Sequence, residues 1–134
     1  MSENLSSQWL KKAIEDLVVA RLVLAEDHTA HACFLSQQCI EKSLKAYLIN
    51  KANDYPRVHK LVDLLSKCEE INADFNQFLA EYITVDQYYI PTRYPDGVPG
   101  GLPGGMPNEE QAKEAIAAAE KISNFVVQHL PSVE

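Results

Sequence analysis

The residues of this chain best equipped for chemistry fall into three short blocks. The first is Gln37-Gln38-x-x-Glu41-Lys42-x-x-Lys45, a run of amides and charges at helical spacing. The second is His59, and the third is the tetrapeptide Arg93-Tyr94-Pro95-Asp96. Arginine grips a phosphate or carboxylate with a two-pronged fork, and lysine adds a point charge. Such a set would hold an anionic ligand. The candidate ligand-binding residues are therefore Gln37, Gln38, Glu41, Lys42, Lys45, His59, Arg93, Tyr94 and Asp96. A catalytic alternative uses two of them. Neutral His59 would be the general base, and Arg93 would stabilise a pentacovalent phosphorus. In a plainer reading Gln37 ties its helix to a neighbouring backbone or loop, Arg93 pairs with Asp96 or Glu41, and the set only pins a loop.

Other chemistries lack their residues. The chain has no GxGxxG, GxxxxGK[ST], HExxH or GxSxG, and no Glu-x-x-His pair, so no cofactor and no metal is expected. His28 and His31 read as surface residues at a turn. Cys33, Cys39 and Cys68 show neither CxxC nor Cys/His metal spacing, and read as buried, reduced thiols of a cytoplasmic protein. No basic leader or long apolar stretch is seen, which predicts neither a signal peptide nor a membrane span. The net charge of −7 disfavours bulk attraction to nucleic acid or membrane. The charge is uneven, however. Residues 28–60 carry five positive charges against two negative, and residues 61–90 carry one against six. A basic segment on an acidic body suits a local anion site or one half of a complementary self-interface.

The elements that must position these residues all read as helix. The 134 residues, 46% apolar, fit one domain spanning the chain. A first helix is predicted from Ser6 or Ser7, either serine capping it, to Asp27, with Leu10, Ala13, Ile14, Leu17, Ala20 and Leu24 as its core stripe. Trp9 is expected to anchor packing near one end. A second helix, Ala30–Ala52 with Thr29 as N-cap, follows so closely that the two must form an antiparallel hairpin. At about 100° per residue, Cys33, Ile40, Leu44, Tyr47 and Leu48 share one face. Gln37 falls in the middle of that face, Glu41 and Lys45 on its flank, and Gln38 and Lys42 further out. A short third helix is predicted over Arg57–Glu70. A fourth should run from Asn72 or Asp74 to Ile90, with Phe75, Phe78, Leu79, Tyr82, Val85 and Tyr89 inward. A fifth should start at the capping box Asn108-Glu109-Glu110-Gln111 and reach His129.

Pro91–Pro107 cannot be helix, because it holds five prolines and all five glycines of the chain. Its head, Arg93–Asp96, is expected to be fixed beside the second helix, and Gly97–Pro107 to be a mobile tether. With no period-two stretch, the fold class is all-α: an antiparallel up-and-down bundle of four longer helices plus one short helix.

Several of these residues together resemble the HEPN domain (higher eukaryotes and prokaryotes nucleotide-binding). They are Trp9, Ala13, Asp16-Leu17 and Ala20; Cys33-Phe34-x-x-Gln37-Gln38-x-x-Glu41-Lys42-x-x-Lys45-Ala46; His59-x-Leu61 with Leu64-Leu65; and Arg93-Tyr94-Pro95-Asp96. The resemblance implies a HEPN-like bundle, a homodimer, and a possible minimal nucleotidyltransferase or nucleotide as partner. Some branches of the family are metal-independent RNases carrying an Arg-x4–6-His motif late in the bundle. That motif is missing here. Arg93 has no histidine at that distance, Arg57-Val58-His59 is too short, and the spacing of Arg21 and His28 fits only at the end of the first helix. The resemblance therefore implies a non-catalytic binding or partner module, with RNA as a partner only in the RNase alternative.

Overall fold

A computed structural model describes residues 2–58, 60–88 and 107–130, the side chains of residues 2–4 aside. His59, Tyr89, Arg93, Tyr94, Asp96 and the tether up to residue 106 lie outside the described residues. The chain forms α1 (Ser2–Ala25), α2 (Thr29–Ala52), α3 (Leu61–Ile71), a 3-10 segment (Ala73–Phe78), α4 (Leu79–Asp86) and α5 (Glu109–Gln128). No strand occurs among the described residues, as the all-α reading requires.

The α1–α2 turn is tight because Asp27 adopts φ 67°, a left-handed conformation that short polar side chains tolerate. Asn53 closes α2 in the same way at φ 51°, its N–H returning to the Ile49 carbonyl at 3.1 Å. α2 is the central element. It packs against α1, α3, α4 and α5, and from Ala32 to Ile49 it is buried on nearly every side. Leu10, Ala13, Leu17 and Ala20 of α1 and Ala112, Ala115, Ala119, Ile122 and Val126 of α5 close over it. The small side chains of α5 allow close approach. At one end Phe75 meets Tyr47 and Phe125 edge-on, with ring centroids 4.7 and 4.9 Å apart.

The capping box of α5 forms as read. Asn108 Oδ1 accepts from the Gln111 N–H at 2.8 Å, and Gln111 Oε1 accepts from the Asn108 N–H at 2.9 Å. Other boundaries differ from the sequence reading. α1 begins at Ser2, so Ser6 is no cap; it is buried, and its hydroxyl donates to the Ala46 carbonyl at 2.7 Å. Thr29 is inside α2, His28 stands at the N-cap, and the Thr29 hydroxyl donates to the Pro107 carbonyl at 2.8 Å. Both hydroxyls found tertiary acceptors in place of local ones. α3 starts at Leu61 instead of Arg57. The expected long fourth helix is a 3-10 segment followed by eight α-helical residues, with Asn72 Oδ1 accepting from the Asp74 N–H at 3.0 Å. Ile14 and Leu79, expected in the core, are exposed.

Candidate functional site

The helical spacing of the first block turns it into a buried frame along α2. Gln37 is fully buried in the apolar face, as its register predicts. Its Oε1 accepts from Gln38 Nε2 at 2.7 Å, and Gln38 Nε2 also reaches Glu41 Oε1 at 3.4 Å. One turn on, Glu41 Oε2 meets Lys45 Nζ at 3.0 Å, with side chains only 6% and 4% exposed. Two opposite charges held out of water must be paired, because either alone would carry a large desolvation penalty. Lys45 also lies over the Trp9 ring, 5.6 Å from its centroid, and Trp9 meets Tyr55 edge-on at 5.5 Å. The expected anchoring by Trp9 is thus a specific contact between α1 and α2.

Lys42 behaves differently although it sits between Glu41 and Lys45. It points outward and reaches across to α1, where its Nζ lies 2.6 Å from Asp16 Oδ2. These two side chains are 23% and 16% exposed. Around them opens a cleft of about 800 Å³ lined by Gln8, Trp9, Lys11, Lys12, Glu15, Asp16 and Lys42. Three lysines face two carboxylates there, leaving one positive charge. Lys11 and Lys12 are functional candidates that the sequence reading did not single out. The signal was present in their position directly after Trp9, with Glu15 and Asp16 one turn further on. Of the candidate residues, then, Gln37, Gln38, Glu41 and Lys45 form one connected frame, and Lys42 opens onto the cleft. His59, Arg93, Tyr94 and Asp96 lie outside the described residues.

A half-buried carboxylate belongs to the same neighbourhood. Asp86 Oδ1 accepts the Leu61 N–H at 3.1 Å, so α4 supplies the N-terminal acceptor that Lys60 cannot give α3. Burial raises the Asp86 pKa above the ordinary carboxylate value. The Leu61 hydrogen bond and Lys60 oppose that shift, while Asp63 and Glu41 add to it.

The three thiols are buried and free, as expected. Burial pushes Cys33 and Cys39 up to about 12 and raises Cys68 as well, which makes them poor nucleophiles. Among the described residues no group of three His, Cys, Asp or Glu side chains could hold a metal ion. Nor is any helix among them long and apolar enough to cross a membrane. Arg21 is engaged by Glu120 at 2.8 Å, and His28 stacks edge-on with His31 at 6.1 Å, so the formal Arg21/His28 spacing builds no catalytic pair.

Known proteins share this architecture. The HEPN domain family profile matches residues 6–130. A protein of Methanocaldococcus jannaschii named as a putative toxin is 28% identical over 126 residues, covering 88% of this chain and 83% of its own length. The crystal structure of TT1696 from Thermus thermophilus superposes with a TM-score of 0.81 at 32% identity, covering 93% of this chain and 98% of that one. The structure of ST0689, described as an archaeal HEPN homologue, gives 0.74 at 34% identity, with 94% and 98% covered. With this bundle, this buried frame and a match over nearly its whole length, the chain belongs to the HEPN domain family.

Proposed function

We propose that this chain is a non-catalytic HEPN module that binds an anionic ligand carrying a planar ring, most simply a nucleotide, in the cleft between α1 and α2. One observation carries the reading: Lys11, Lys12 and Lys42 surround a cleft that also exposes part of Trp9. Lysines attract phosphate, and an indole offers a stacking surface. Asp16 offsets Lys42 and Glu15 lies 3.6 Å from Lys12, so the three lysines leave one positive charge in excess at the cleft. The Glu41–Lys45 pair and the two glutamines act from behind, holding α1 and α2 in register. Arg93, Tyr94, Asp96 and His59 are assigned to the same ligand. A minimal nucleotidyltransferase as partner belongs to this reading too, on the strength of family membership.

Titration calorimetry with ATP, GTP and their diphosphates tests the ligand. Binding at or below millimolar concentration is expected, weakened by Lys12→Glu and by Arg93→Ala. Absence of heat at millimolar nucleotide overturns the reading. If Arg93→Ala lowers only the melting temperature, that residue pins the loop and touches no ligand.

The similarity to a protein named as a toxin favours one second reading, a metal-independent RNase using His59 and Arg93. Single-turnover cleavage of tRNA and mRNA decides it. Cleavage that persists unchanged in His59→Ala excludes this pair.

A further inference from the structure

The cleft between α1 and α2 has two ends, and the helical rise of α1 sets the distance between them. Trp9 and Asp16 both line it. From their positions in the sequence they lie about 10.5 Å apart along the helix axis and within about 20° of one another around it. Lys12 stands between them, about 4.5 Å beyond Trp9. Its pair with Glu15 is loose, at 3.6 Å with both side chains largely exposed. At the far end Lys42 Nζ lies 2.6 Å from Asp16 Oδ2, and both of these side chains are mostly out of water. The cleft therefore presents a row: an aromatic ring, a loosely held lysine, and a tightly held lysine.

We propose that this row measures a phosphate chain: the cleft takes nucleoside triphosphates in preference to monophosphates, with Lys42 receiving the terminal phosphate in exchange for Asp16. The inference rests on the ligand reading above and specifies its ligand. A base stacked on Trp9 sets the first phosphate, one ribose away, beside Lys12. Only the later phosphates of a longer chain extend to Lys42. There the terminal phosphate meets a competitor already in place. Carboxylate and phosphate oxygens are the same kind of anionic acceptor for an ammonium group, so Asp16 and the phosphate contend for Lys42. Asp16 holds Lys42 at the far end of the row and also opposes the anion that arrives there. The net charge of −7 would by itself favour the nucleotide with the least charge. A preference for the triphosphate must therefore come from the local row and from its last member.

Calorimetric titration with AMP, ADP and ATP tests it, alongside the fluorescence of Trp9, which is the only tryptophan of the chain and so reports the ring end of the cleft. Affinity should rise from AMP through ADP to ATP, and all three should change the Trp9 emission. Lys42→Ala should weaken ATP about tenfold and leave AMP unchanged, so that the order flattens. Lys12→Ala should weaken all three alike. Asp16→Asn, which removes the competing charge and keeps the size, should strengthen ATP about tenfold without affecting AMP. This gain needs a folded variant, so it cannot arise from loss of structure, and it covers the case in which Lys42→Ala fails to fold. Equal affinities for AMP and ATP overturn the proposal and leave the ligand reading standing. So does a Lys42→Ala variant that loses AMP as much as ATP, or an Asp16→Asn variant that binds ATP more weakly than the parent. Silence toward all three nucleotides removes the ligand reading and this inference with it.

Discussion

Two ion pairs begin side by side on α2 and end in different surroundings. Glu41–Lys45 runs along the helix, 6% and 4% exposed, and its charges see almost no water. Lys42–Asp16 bridges two helices at 2.6 Å and remains partly wet beside the cleft. The first pair is a mutual obligation, since each buried charge has its opposite charge in the other. The second can exchange a partner for water or for a ligand. Burial therefore separates the residues that build the frame from those that can act, and it does so among neighbours in sequence.

Breaking the buried pair should have the largest effect. Lys45→Met strands Glu41 in the interior and should destabilise the fold by about 3–5 kcal/mol in urea unfolding. The double variant Glu41→Leu/Lys45→Met should recover most of that loss. Equal losses in the single and double variants would show that the pair is not a unit, and the contrast would collapse.

Lys42→Ala should destabilise far less, by about 1 kcal/mol, because Asp16 can turn to solvent. A loss as large as that of Lys45→Met would erase the distinction between frame and cleft. Asn108→Ala gives a reference from outside both pairs. It removes the Oδ1 acceptor of the Gln111 N–H, leaves the backbone half of the box, and should lower stability by about 1 kcal/mol in the same unfolding assay.

The smallest effect concerns Asp86. Its folded pKa is raised, so the folded state holds the proton more tightly than the unfolded chain. Its contribution is therefore fullest below the unfolded value, about 3.9, and is lost as pH rises through the folded one. Asp86→Asn keeps the acceptor for Leu61 and removes the charge. The melting temperature of the variant relative to the parent should climb over that pH range and then level off. A constant difference would mean that Asp86 is not held above its ordinary pKa.

Much of the frame was legible because helical periodicity turns spacing into position. The placement of Gln37 in an apolar face, of Glu41 and Lys45 beside it, and of Lys42 further out needed only the angle per residue. The capping box of α5 was legible for the same local reason. What periodicity could not reveal was the depth of burial. α2 is covered on nearly all sides, so flank positions became interior and the Glu41–Lys45 pair lost its solvent. Ser6 and Thr29 show the same limit. Each is a good local cap, and each was claimed by a carbonyl distant in sequence. The cleft was missed because the spacing of Lys11 and Lys12 along α1 does not reveal that α2 sets Lys42 opposite them. Ile14 was misplaced because it fits the period of the core stripe yet lies past its edge, where it is 39% exposed.

The sequence by itself determined that this is an all-helical chain, where its strongest cap lies, and which side of α2 its amides share, because these follow from bonds and angles within a few residues. Only the tertiary structure decided which charges are sealed and which remain available, because burial is set by what the other helices cover.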